Sequence, residues 1–102
     1  MAKKESDFQS NLVTEIKQTF DGCIVTKQDA IEGIPDLLIL YKNKWATLEC
    51  KKNKDEVSKP RRNKKQQDYY VGKMNDMSFS RYVYPENKEE VINELKVHFH
   101  KS

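Results

Sequence analysis

Apolar side chains fall every four residues through Phe8, Leu12, Ile16 and Phe20, which predicts a helix from about Ser6 to Phe20 with Phe8, Leu12 and Ile16 facing the core. Ser6 with Gln9 has the pattern of a capping box at its start, and Asp21 and Gly22 end it. Cys23, Ile24, Val25 and Thr26 then read as a strand, followed by a loop through Gly33. Two short apolar runs follow, Leu37 to Leu40 and Trp45 to Leu48, with the turn-prone Lys42, Asn43 and Lys44 between them, and together they predict an antiparallel hairpin. From Lys52 to Lys65 the apolar period is lost and Pro60 interrupts, so this stretch reads as a loop or a frayed helix start. Tyr70, Met74 and Met77 restore helical spacing from about Gln66 to Met77, against the cost of Gly72. Phe79, Tyr82, Val83 and Tyr84 mark a fourth strand stopped by Pro85. A last helix runs from Asn87 to about His98 with Val91, Ile92, Leu95 and Phe99 inward, Asn87 and Glu90 resembling its cap. The order is helix, three strands, helix, strand, helix, a mixed α/β (α+β) arrangement.

Composition narrows the picture. A chain of 102 residues fits one compact domain over 1–102, since a second would leave each half too small to bury a useful core. Charged residues make up 34%, polar for a folded protein, yet ten aromatics sit in periodic runs and exclude wholesale disorder. No apolar run approaches the roughly 20 residues that span a bilayer, and the N-terminus lacks an apolar signal region, so a membrane partner and export are not expected. Cys23 and Cys50 are the only cysteines, without metal-ligand spacing, and read as buried thiols of a reducing cytoplasm. His98 and His100 lie two apart on a helix, on different faces, and read as surface residues.

Net charge is only +3, but it is unevenly spread: Lys42 to Lys65 holds ten Lys or Arg against three acids, net +7, and the remainder is net −4. Such a patch attracts a phosphate backbone, although a solvated lysine-rich loop would have the same composition. Lys52, Lys54, Lys59, Arg61, Arg62, Lys64 and Lys65 are the candidates to bind nucleic acid, tracking phosphates without reading bases.

The hairpin carries the candidate chemistry. With its loop centred on Asn43 and Lys44, Asp36 would stand opposite Lys51 and diagonal to Glu49, while Glu49 and Lys51, two apart, share a face. A shift of one residue would oppose Asp36 to Cys50 and turn it to the other face. Two carboxylates and a lysine on one face suit a divalent cation with hard oxygen ligands, Mg²⁺ first and Mn²⁺ in its place. Taken singly, each of these residues is also ordinary on a sheet surface.

Pro35-Asp36 followed by Glu49-Cys50-Lys51, within this element order, resembles the PD-(D/E)XK nuclease superfamily over nearly the whole chain. Gly33-Ile34-Pro35-Asp36 and a glutamine on the following helix are similar to the VRR-NUC group and to small phage nucleases related to Holliday-junction resolvases. The resemblance implies a restriction-endonuclease-like core around a central mixed four-stranded sheet. It implies Mg²⁺ held by Asp36, Glu49 and the main-chain carbonyl of Cys50, with Lys51 orienting or deprotonating water or stabilising the pentavalent phosphate. The helix glutamine would be Gln67, with adjacent Gln66 as the alternative, to position the phosphate or the lysine. An acid from the first helix would be Glu5 rather than Glu15, binding a second metal or a metal-bound water. The function implied is a metal-dependent endonuclease acting on DNA, including branched or flap structures, with a homodimer spanning two strands. RNA and single-stranded nucleic acid remain alternatives, because nothing here reads a 2′-hydroxyl or measures an end. From a different class, a non-catalytic nucleic-acid-binding or host-factor-blocking phage protein could retain the same scaffold.

Overall fold

A computed structural model describes residues 5–100, with side-chain surroundings from Asp7 to His100. Helix α1 (Glu5–Thr19) buries Leu12 and Ile16 completely and half-buries Phe8, as the four-residue spacing requires. Ser6 is already helical, so it is not the residue that precedes the helix, and the side chains of the expected Ser6–Gln9 box are only described from Gln9 onward. Gly22, at φ 86°, reverses the chain after α1 in a left-handed conformation that a side chain would resist. Strand β1 (Ile24–Lys27) then pairs antiparallel with β2 (Leu37–Tyr41), starting one residue later than the sequence pattern suggests. Cys23 stays outside the strand and is half-buried, not fully enclosed.

Strand β3 (Lys44–Cys50) returns antiparallel to β2 with Leu37 opposite Leu48 and Tyr41 opposite Lys44. The turn is therefore Lys42-Asn43, two residues, with Lys42 carrying the left-handed φ of 57°. The sum of paired residue numbers falls two below the expected register. An even shift leaves every side chain on the face predicted for it, and continued one step past the Leu37–Leu48 pair it sets Asp36, just before β2, across from Glu49 instead of Lys51.

After β3 the chain makes one helical turn, α2 (Asp55–Ser58), in the stretch read as loop or frayed helix. Helix α3 (Lys64–Met77) follows, and β4 (Ser80–Val83) enters parallel to β3, which closes the sheet in the order β1-β2-β3-β4. Parallel pairing needs a crossover of this length, so the basic segment is forced to run from the end of β3 to the start of α3. Helix α4 (Lys88–His100) completes the fold with Val91, Ile92, Leu95 and Phe99 buried. Asn87 does occupy the position before it, since its carbonyl accepts Val91 N–H at 2.9 Å. Its side chain turns backwards, however, accepting Tyr84 N–H and donating to Tyr82 O, so it fixes the strand exit and leaves the helix's own amides alone.

The sheet has two unlike faces. Leu37, Ile39, Ala46, Leu48, Cys50 and Val83 point one way and join Leu12, Ile16 and Phe20 of the α1 segment with α4 in the apolar core. Phe20, Tyr41 and Phe99 close its far end, with Phe20 and Phe99 edge to face at 5.1 Å. Thr47, Glu49 and Ser80 point the other way, toward α3, where Thr47 Oγ1 donates to Ser80 Oγ at 2.8 Å and meets Met74 Sδ at 3.5 Å. In α3 only Gln67 is buried, and Met77, expected inward, is 64% exposed. His98 is no surface residue: Nε2 lies 3.2 Å from Ser78 Oγ and 3.1 Å from Trp45 O, tying α4 to the start of β3. No helix among the described residues is long and apolar enough to cross a membrane.

Candidate active site

Alternation along β3 puts Glu49 and, one step past the strand, Lys51 on the α3 side of the sheet, with Cys50 between them in the apolar core. Glu49 is 2% exposed and Lys51 7%, and their side chains form an ion pair at 3.3 Å. A pair removed from water this far costs desolvation that its own attraction only partly offsets.

Asp36 arrives from the loop before β2, and several contacts hold it there. Gln28, just past β1, donates its side-chain amide to Pro35 O at 3.0 Å and its backbone N–H to Asp36 O at 2.8 Å. Gly33 lets the same loop lie against α3: a Cβ at this position would come 2.5 Å from Gln66 Cβ and 3.0 Å from Gln67 N, and its φ of 87° is left-handed as well. Only glycine satisfies both conditions. The Asp36 carboxylate then accepts the Cys50 N–H at Oδ2, 2.9 Å away. Burial pushes the Asp36 carboxyl above its ordinary pKa, against the opposing pull of the Cys50 hydrogen bond and the Lys51 charge. Asp36, Glu49 and Lys51 thus meet on one face at the exit of β3.

Gln67, not Gln66, is the glutamine that turns in; Gln66 is exposed. Its Oε1 accepts Arg61 Nε–H at 2.7 Å. Arg61 also donates from its NH1 group to the carbonyls of Glu56, Val57 and Lys59, and from NH2 to Tyr82 Oη at 3.3 Å. Tyr82, the parallel partner of Glu49 on β4, donates its hydroxyl to Asp68, which pairs with Lys64 at 2.6 Å. Burial, the hydrogen bond to Asp68 and the nearby charges of Asp68 and Glu49 all raise the Tyr82 pKa, so the phenol keeps its proton and remains the donor. Asp68 is held below its ordinary pKa, because the bonds from Lys64 and Tyr82 and the charges of Lys64 and Arg61 outweigh its burial.

The basic residues therefore divide. Arg61 turns inward, and Lys64 is engaged with Asp68. Lys52 and Lys59 lie 3.8 and 3.7 Å from Glu56, exposed pairs of little energetic weight. Lys54 and Lys65 are exposed, and Arg62 reaches Glu32 only at 4.0 Å with 92% of its side chain in solvent. Pro60, Arg61, Arg62, Lys64, Lys65 and Asp68 line a surface cleft of about 380 Å³ at the start of α3.

The donor chemistry suits a hard divalent cation only in part. Asp36 and Glu49 supply two carboxylates on one face, and Asp36 Oδ1 makes no hydrogen bond among the described residues. Among those residues no three His, Cys, Asp or Glu side chains converge on a common point. Glu5 opens α1, but its side chain lies outside the described surroundings; Glu15 is committed to Lys88 at 2.8 Å. The contacts of Arg61 with Gln67 and Tyr82 and of Gln28 with Pro35 have no local sequence signal, since they join residues 6 to 21 apart. Comparison with protein-family models, with curated proteins and with solved structures finds no match for this chain.

Proposed function

We propose that this chain is a divalent-metal-dependent nuclease, with Asp36 and Glu49 as the metal-holding carboxylates, Lys51 as the catalytic cation, and DNA as the substrate. The observation that carries the reading is the shared face: Asp36 across from Glu49, Lys51 at 3.3 Å from Glu49, and all three at the exit of the strand from which the basic crossover departs. A stable sheet has no need to bury two carboxylates and an ammonium together, and several contacts are devoted to holding Asp36 against that cost.

A bound Mg²⁺ or Mn²⁺ would neutralise charge on a phosphodiester and lower the pKa of a water. The chain's own part is orientation. The Cys50 N–H fixes one Asp36 oxygen and leaves the other for a cation; the Cys50 carbonyl, in the peptide next to it, is the main-chain ligand the resemblance implies. Lys51 holds positive charge beside Glu49, where it can stabilise a phosphorane oxygen or orient the attacking water. Arg62, Lys54 and Lys65 supply exposed charge for the backbone on either side, contacts that favour structure over sequence.

The test is incubation of the protein with supercoiled plasmid and a branched oligonucleotide in Mg²⁺, Mn²⁺ or EDTA, beside Asp36→Ala. Cleavage that needs metal and disappears in the variant supports the enzyme, and binding without cleavage in every condition supports the non-catalytic alternative. Parallel incubation with RNA and single-stranded DNA defines the substrate, and light scattering during the assay tests for a homodimer.

A further inference from the structure

We propose that Arg61 is a positioning residue: it locks the Gln67 amide with its oxygen inward, so that Gln67 meets the substrate as an N–H donor to a phosphate oxygen. The inference rests on the nuclease reading for what the phosphate belongs to, but its structural content is independent of cleavage.

Three observations lead to it. First, a guanidinium has only donors, so the Gln67 atom 2.7 Å from Arg61 Nε must be the amide oxygen, and the orientation of the amide follows from its chemistry. Second, Arg61 is itself immobilised. It reaches three carbonyls at the end of α2 and the Tyr82 hydroxyl, whose own proton is committed to Asp68, so rotating the Gln67 amide would break a connected network. Third, the Gln67 Nε2 group has no protein acceptor among the described residues and is not sealed from solvent, although the residue as a whole is 7% exposed. A buried amide whose oxygen is anchored and whose N–H₂ is open offers two hydrogen-bond donors to whatever enters.

The position of those donors selects the ligand. Gln67 lies on the α3 turn that packs against Gly33, three residues before Asp36, and its Arg61 anchor contacts Tyr82, the strand partner of Glu49. N–H groups repel a metal cation and the Lys51 ammonium alike, so neither can be the partner at Nε2. The partner must be an acceptor, and a non-bridging phosphate oxygen held by a carboxylate-bound cation has that character. Arg61 accordingly works through Gln67, and its charge does not track the backbone.

The experiment observes the Gln67 side-chain amide directly. In EDTA, where no cutting occurs, a short DNA duplex is added to ¹⁵N-labelled protein and the Gln67 Nε2–H₂ signals, assigned by their absence from Gln67→Glu, are followed in wild type and Arg61→Lys. Wild type should show those signals shifting with DNA. Arg61→Lys keeps the charge but not the fork, so duplex binding should persist while the Gln67 shift disappears. With Mg²⁺, kcat of Arg61→Lys should fall about 10²-fold with KM within about threefold, the pattern of a misaligned group and not of lost affinity. Gln67→Glu keeps an acceptor for Arg61, and so the fold, but removes the donors; it should lose cleavage to the same extent, which decides the matter if Arg61→Lys unfolds. An unchanged Gln67 shift in Arg61→Lys, no shift in wild type, or full cleavage by Gln67→Glu overturns the proposal. If the shifts behave as expected and wild type cuts nothing, the orientation stands and the nuclease reading falls.

Discussion

The two faces of β3 are both buried and are built from opposite materials. Ala46, Leu48 and Cys50 meet Leu37, Ile39 and Val83 under α1 and α4 in a continuous hydrocarbon layer. Thr47, Glu49 and Lys51, the residues between and just after them, meet Ser80, Tyr82 and α3 in a layer of hydroxyls and charges. Burial of apolar area stabilises by about 25 cal/mol per Å², whereas burial of an ion pair usually gains little or costs stability. One strand therefore both supports the domain and carries its most expensive groups. The apolar face explains why the chain folds; the polar face has no such explanation, and in the proposed nuclease reading its use is chemistry at the sheet's exit.

The largest expected difference between the faces is in turnover. Lys51→Ala should lower metal-dependent DNA cleavage by about 10²- to 10⁴-fold, the range for a group that stabilises charge or moves a proton in the transition state. DNA binding in EDTA, measured by fluorescence anisotropy, should remain near wild type, because the exposed cations are untouched. Wild-type turnover in this variant would remove the lysine from the mechanism.

On the other face the same strand should respond only in stability. Leu48 is fully buried between β2, β4 and the α1–α4 layer. Leu48→Ala should cost about 2–5 kcal/mol in chemical denaturation. At a temperature where the variant is still folded, its kcat should stay close to wild type. A collapse of kcat in the folded variant would mean that the two faces are mechanically coupled.

Those faces were readable in the sequence because strand alternation has period two and survives a register error. The expected turn at Asn43-Lys44 lies one residue beyond the real one at Lys42-Asn43, which shifts the pairing register by two, yet Asp36, Glu49 and Lys51 keep their common face. Leu37 to Leu40 and Trp45 to Leu48 are apolar at nearly every position, so the pattern alone could not fix which pairs oppose, and the left-handed residue proved to be a lysine where asparagine was next in line. Helix faces with dense apolar spacing, Leu12 with Ile16 and Leu95 with Phe99, were equally legible. Arg61 was not. In sequence it belongs to a run of cations, and only the fold brings Gln67 and Tyr82 within its reach. His98 is similar: its partners Trp45 and Ser78 come from β3 and the end of α3, contacts that no local period encodes.

The smallest and most diagnostic effect concerns Asp36. Its carboxyl titrates above the ordinary aspartate value of 3.8 in the folded protein, chiefly because burial disfavours the anion. Below that value the group is protonated in both states and contributes no difference. As pH rises through it, the unfolded chain releases the proton while the native site retains it, so stability falls with increasing pH until the native pKa is passed; beyond that the full penalty persists. Asp36→Asn removes the penalty and keeps an oxygen that can accept the Cys50 N–H. In metal-free buffer the variant should melt at a higher temperature than wild type near neutral pH, and the gap should close as the pH is lowered toward 3.8. Mg²⁺ should then raise the melting temperature of wild type and leave Asp36→Asn where it was, since a ligand that binds only the native state stabilises in proportion to its occupancy. A variant less stable than wild type at neutral pH would mean that the carboxylate supports the fold. The polar face would then need no function to explain it, and the contrast with the apolar face would vanish.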